Sequence, residues 1–248
     1  MTDANGVRWV AGVDGCPAGW VVAIVNADDP GDARCEVCFT FEDVLNLDAA
    51  PVIVAVDMPI GVPDVAIKGG RICDNETRSR LGGRQSSVFA VPSRAALAET
   101  DYGRACAVNL EHSDPPRKVS KQCFGLFAKM REVDSLMTPD LQDRVYEVHP
   151  ELAFWALNGC TPLDLPKKVK SSPDPDGLDL RKSLLVAAGF SKTDLEFAKW
   201  SKRLVGPDDI IDAFAVAWTA RRLLRGEEIT LPADPPRDGR GLRMEINA

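Results

Sequence analysis

Two runs of this sequence carry an aspartate where a core strand has no use for one. Residues 7–14 read VRWVAGVD and residues 52–57 read VIVAVD. The second run is apolar without alternation, the pattern of a strand covered on both faces in an α/β sheet. Carboxylates are rarely buried without partners. If the two strands are neighbours, Asp14 and Asp57 repel, and one takes up a proton unless a cation neutralises the pair. Gly12 and Gly15 stand near Asp14 and let a backbone or a ligand approach closely.

The rest of the chain arranges itself around these runs. Residues 7–14, 20–26 and 34–39 are strand-like, with turns at Pro17-Ala18-Gly19 and around Asp28 to Gly31 between them, so an antiparallel meander is expected. Residues 144–149 return to strand character. Helical patterns are expected over 41–47, 71–81, 93–110, 120–137, 150–157, 178–188, 191–204 and 208–225. Of these, 208–225 is the strongest, with Asp208 as N-cap, a wide apolar face and Gly226 as its stop. The Pro-, Lys- and Asp-rich loop 161–177 reads as mobile and exposed. The whole chain, 1–248, reads as one α/β domain, and 60–142 as a helical insertion after the fourth strand.

Charge and cysteine usage limit the function classes. A net charge of −7 opposes non-specific nucleic-acid binding by the whole surface. Between 65 and 98, however, Lys68, Arg71, Arg78, Arg80, Arg84 and Arg94 face only Asp74 and Glu76. That excess is either a set of solvated helix faces or a basic lip for an anionic substrate. Seven cysteines without framework spacing suit reduced thiols and a cytoplasmic protein. Cys35 and Cys38, three apart on a strand, face opposite sides, and no second CxxC completes a zinc site. Residues 1–9 lack an apolar signal core, and no run is long enough to cross a membrane. The tail at 242–246 is expected either as a last edge strand or as a contact between two copies in a homodimer. Walker-type and dinucleotide fingerprints are missing.

Five carboxylates are candidates for the chemistry: Asp14, Asp57, Glu147, Asp209 and Asp212. Asp209 and Asp212 are three apart and share a helix face. Asp209 lies in the first turn, where cap and dipole already welcome an acid, so it is either a cap or a ligand. Asp212 sits farther in, among Ile211, Ala213 and Phe214, and is the better ligand. Glu147 is either a ligand or a strand-end acid, and His149 either a structural histidine or a ligand. Hard oxygen donors of this kind suit Mg²⁺ or Mn²⁺. Carboxylates on two strands and a late helix fit two-metal phosphodiester hydrolysis.

Six segments carry a family resemblance: GVDGCPAGW at 12–20, VDMPIGVPD at 56–64, GGRQSSVFAVPSR at 82–94, SKQCFGLFAKMREVD at 120–134, YEVHPE at 146–151 and DDIIDAFAVAWTA at 208–220. In that order they resemble the predicted RNase-H-like nucleases, domain of unknown function 429. The last segment is also similar to the late helix of RuvC-type Holliday-junction resolvases, whose Asp-x-x-Asp-Ala pattern falls on Asp209, Asp212 and Ala213. The resemblance implies an RNase-H-like mixed five-stranded sheet flanked by helices. The expected metal ligands are Asp14, Asp57 and Asp212, backed by Asp209 and Glu147. Arg71, Arg84 and Lys121 are the expected partners of substrate phosphate. DNA, RNA, branched DNA and a small phosphoester all remain open as substrates. Two other classes compete: a non-catalytic binding protein that kept the fold, and an actin-like or sugar-kinase-like ATP-binding protein, for whose two lobes the chain is short.

Overall fold

Continuous apolar runs at the start of the chain, buried on both faces, build a hairpin meander. Strands β1 (Trp9–Cys16), β2 (Gly19–Asn26) and β3 (Ala33–Cys38) pair antiparallel in sequence. β4 (Ile53–Val56) then lies parallel to β1, and β5 (Val145–Glu147) parallel to β4. The result is a mixed five-stranded sheet in the order β3-β2-β1-β4-β5. The computed structural model describes residues 6–169, 172–196, 201 and 203–248. Residues 1–5, part of the stretch read for a signal core, and 197–200 and 202, within the helix expected over 191–204, lie outside the described residues; 191–196 of that helix form turns.

β1 runs two residues past Asp14, because Gly15 and Cys16 still pair with Trp20 and Gly19 of β2. On its other side the pairing stops earlier, at Val13 opposite Val56, and the Asp57 N–H donates to the Val13 carbonyl at 2.9 Å. Asp14 and Asp57 therefore sit where β1 and β4 part, at the carboxyl ends of parallel strands. That is where open α/β sheets offer a crevice.

Helices cover both faces. On one lie α7 (Pro150–Leu157), α8 (Pro175–Ala187) and α9 (Pro207–Arg225), packed against Val10, Val21, Ala23, Val25 and Ala55. The other face, with Val13, Trp20, Val22, Ile24 and Val56, is covered by α1 (Phe41–Leu45) and by the long connection between β4 and β5. That connection carries α2 (Ile72–Arg80), α3 (Arg94–Leu97), α4 (Tyr102–Glu111), α5 (Lys121–Gly125) and α6 (Phe127–Leu136). Cys38 joins one core and Cys35 packs on the other, the opposite-face placement that their spacing requires.

Two expected helices are each broken in two. Residues 93–110 divide because Ser93 and Asp101 both cap: Ser93 Oγ accepts from the Ala96 N–H and Asp101 Oδ1 from the Arg104 N–H. Residues 120–137 divide at Leu126, after Gly125, a poor helix residue. The tail ends in a short strand, as one of its two expectations had it. Leu242, Ile246 and Ala248 are buried in the chain's own core, and Ile246–Asn247 pairs with Thr230–Leu231. Met244, between Leu242 and Ile246, is half-buried.

α9 lies on the sheet at backbone distance. A Cβ on Gly12 would stand 2.1 Å from the Ala217 nitrogen and 2.2 Å from the Ala213 oxygen. No side chain fits there without pushing the helix away. Gly12→Ala is expected to destabilise the protein by about 3 kcal/mol, the upper end of overpacking costs. Urea unfolding measures it, and a loss under about 1 kcal/mol would mean that α9 yields easily.

Candidate functional site

A cavity of ≈ 410 Å³ opens at the carboxyl ends of β1, β4 and β5. One part of its lining is acidic: Asp14, Asp57, Glu151, Asp208, Asp209 and Asp212. Strand alternation puts Asp14 on the face of Val10 and Gly12, and Asp57 on the face of Ile53 and Ala55, the face that α9 covers. The approach of α9 at Gly12 brings Asp212 to the same place. Asp14 and Asp212 are only 8% and 2% exposed.

These acids are not independent. The Asp14 and Asp57 carboxyls lie within hydrogen-bonding reach of each other. Burial, then the charges of Asp57, Asp212 and Asp209, hold Asp14 well above the ordinary carboxylate range. Burial pushes Asp57 and Asp212 each up to about 6, against the pull of Lys167. The Lys167 ammonium is ion-paired with Asp212 Oδ2. Burial works against its charge, but Asp212, Asp14 and Glu151 outweigh that and raise it. Asp212 Oδ1 is buried with no partner. Among the described residues no three His, Cys, Asp or Glu side chains form a ready metal cage. Lys167 is the cation of the cluster as it stands.

Asp209, Glu147 and Arg71 also line the cavity, but each is already held by other groups of the fold. Asp209 occupies the third position of α9, which starts at Pro207 with Gly206 as N-cap, not Asp208. Its Oδ2 accepts the Gly206 N–H at 2.7 Å, so it caps, although its charge is felt at Asp14. Glu147 pairs with Val56, whose side chain belongs to the opposite core, so it faces away from α9. There it meets Arg71. The Arg71 guanidinium bonds both Glu147 oxygens at 2.5 and 2.7 Å, Asp74 Oδ1 at 2.8 Å and the Ile60 carbonyl at 2.8 Å. Burial pushes Glu147 up to about 7 while Arg71 pulls it down. Arg71 lines the cavity but has no donor left for a phosphate. Arg84 does not line it, and exposed Lys121 instead lies 5.9 Å from the Tyr102 ring. His149 does line it; burial keeps the imidazole neutral, its Nε2 is 3.4 Å from the Ser87 carbonyl, and its Nδ1 has no partner.

The expected basic lip dissolves in the same way. Arg94 bonds Asp134 and Asp238, Arg80 the Glu76 carbonyl, and Arg78 the Gly69 carbonyl. Besides Arg71, the cations that line the cavity are Lys129, Lys167 and Lys168, which the sequence did not single out. Lys168 pairs with Asp208 at 2.6 Å, and Lys129 lies over the Trp20 ring at 4.5 Å. Lys167 comes from the loop expected to be exposed. Much of the described part of that loop is exposed, as expected, but it is anchored: Leu163 is buried, and the Leu165 carbonyl accepts from Arg181 at 3.0 Å. Arg181 in turn grips both oxygens of Glu151 at 2.7 and 2.8 Å.

Two outcomes follow from these charges. Asp57 and Asp212 titrate near 6 in the fold and near 3.8 outside it, so the folded state holds extra protons in that window and stability falls as pH rises through it. Without divalent cations, Asp14→Asn is expected to raise stability at pH about 7.5 by about 1 kcal/mol, and by less at pH about 5. Thermal melts at the two pH values check the sign; an equal loss at both would mean the cluster is not strained by like charge. Arg71→Met leaves Glu147 and Asp74 buried and unpaired, and is expected to cost about 3–5 kcal/mol in urea unfolding.

No curated protein and no solved structure matches this chain. A family model described as a protein of unknown function, DUF429, matches residues 12–237, from the glycine under α9 to the arginine just before Asp238. The protein belongs to the DUF429 family.

Proposed function

We propose that this protein is a phosphoester hydrolase of RNase-H-like architecture that works with Mg²⁺ or Mn²⁺. The observation that carries the reading is the meeting of Asp14, Asp57 and Asp212, from β1, β4 and α9, at one buried point of a cavity. The strand order, with three antiparallel strands followed by two parallel ones, supports the architectural part. Neither capping nor a closed ion pair accounts for all three acids. Asp14 and Asp57 must share a proton or a cation, and Asp212 Oδ1 wants a donor or a metal. That donor set fits a hard divalent cation, with Asp14, Asp57 and Asp212 as its holders, once Lys167 releases Asp212. When bound, the ion activates water and screens the charge gathering on the phosphoryl oxygens.

The chain's own residues supply the rest. Lys167 and Lys168, freed from Asp212 and Asp208, pair with phosphate oxygens. In the reaction a water oxygen bonds to phosphorus and the ester P–O bond breaks, its electron pair leaving on the ester oxygen. The water's proton passes to a carboxylate of the cluster, and the departing oxygen takes a proton from solvent. A second reading, a metal-free binding pocket, is favoured by one fact: Lys167 already neutralises part of the cluster.

The test is hydrolysis of bis(p-nitrophenyl) phosphate with Mn²⁺, Mg²⁺ or EDTA. Activity is expected with either metal, none with EDTA, and a fall of about 10³-fold or more in Asp14→Asn and Asp212→Asn, the scale of lost charge stabilisation at a reacting phosphate. Activity that survives EDTA, or is unchanged in both variants, would reject the metal-site reading.

A further inference from the structure

The rest of the cavity bears on what enters it. Beyond the carboxylates and the cations beside them, one side of its wall is apolar: Val88 and Phe89 follow the 3₁₀ turn Gly82–Ser87, and Cys123, Leu126 and Met130 come from around α5 and α6. These residues belong to the connection between β4 and β5, so the same segment that covers the sheet also builds the wall. The volume, ≈ 410 Å³, lies in the range of small-ligand sites.

Three observations oppose a polynucleotide duplex. Asp14 and Asp212 are buried, so a phosphate must come down into the cavity to meet them. A polyanion needs a row of free cations along its backbone. Of the cations that promised such a row, Arg71, Arg78, Arg80 and Arg94 are tied to Glu147, Asp134, Asp238 and backbone carbonyls within the fold, and Arg84 and Lys68 do not line the cavity. The cavity's own lysines are few, and two of them already have acidic partners.

The cavity thus asks for two things together: a phosphate at the carboxylates, and an apolar or aromatic face along Val88, Phe89, Leu126 and Met130.

From this we infer that the cavity takes a small phosphoester of mononucleotide size, with a flat apolar group in the pocket formed by the β4–β5 connection, and not a nucleic-acid duplex. The inference rests on the hydrolase reading for its chemistry but not for its binding. Two variants probe the wall: Leu126→Trp fills it and Phe89→Ala removes part of it, with urea unfolding as the check that each folds.

The experiment compares thymidine 5′-(p-nitrophenyl phosphate), methyl p-nitrophenyl phosphate and a DNA duplex as substrates with Mn²⁺. Calorimetry with thymidine 5′-monophosphate and Mn²⁺ runs beside it. The nucleoside ester is expected to show a kcat/KM about tenfold or more above the methyl ester, the equivalent of about 1.4 kcal/mol of apolar contact. Either wall variant should raise its KM about tenfold. Duplex cleavage at an equal or higher rate per bond, or no effect of either folded wall variant, overturns the inference while leaving the hydrolase reading intact. If no substrate is cleaved, the hydrolase reading fails, and calorimetry decides the inference. Binding of the monophosphate that weakens in the wall variants upholds it, and no binding overturns it.

Discussion

The rest of the structure depends on the absence of one side chain. At Gly12 the backbone of α9 rests on the backbone of β1, with Ala213 and Ala217 as the helix residues in contact. Small residues on both sides set the separation of helix and sheet. That separation decides two things at once. It lets Ile210, Ile211, Phe214 and Val216 fill the core between α7, α8 and the sheet. It also lowers Asp212 to the level of Asp14 and Asp57. Core packing and site geometry are the same dimension here, and neither can be adjusted alone.

Three buried cation–acid systems lie close together at this end of the sheet, and they differ in how completely they close. Arg71 satisfies Glu147 and Asp74 with nearly every donor it has. Arg181 grips both oxygens of Glu151 and two carbonyls. Planar guanidinium groups suit such closure, and closed systems of this kind fix a fold. Lys167 is different. It offers a compact point charge to a group of acids, pairs with one oxygen of Asp212, and leaves the other unpartnered. A point charge on a flexible stem can be exchanged for another cation more readily than a bidentate fork. The arginine systems therefore read as framework and the lysine system as site.

The five-stranded sheet was legible because apolar runs and short turns are local signals. Asp14, Asp57 and Asp212 were legible for a related reason: each is a polar exception inside an apolar pattern, visible without knowing any partner. Which side of the cavity Glu147 takes depends on register, and only the pairing of Val56 with Glu147 says that it faces away from α9. Arg71 reads as a free cation until its partner, 76 residues away in sequence, is known. Lys167 could not be found at all. It lies in a loop with no periodicity, and its place is set by packing around Leu163 and Arg181, which no local pattern encodes.

The end of the described chain has a further consequence, for association between molecules. A strand at the margin of a sheet presents unpaired backbone groups to any passing strand. β3, at one margin, is guarded by the charged pair Arg34 and Glu36. At the other margin the chain guards itself. Asn247 bridges to Val148, its side-chain amide donates to the Glu147 carbonyl at 3.1 Å, and its amide oxygen is held by Thr230 at 2.8 Å. The last residues are a seal on β5, and a chain cut before them would present that margin as a template for aggregation.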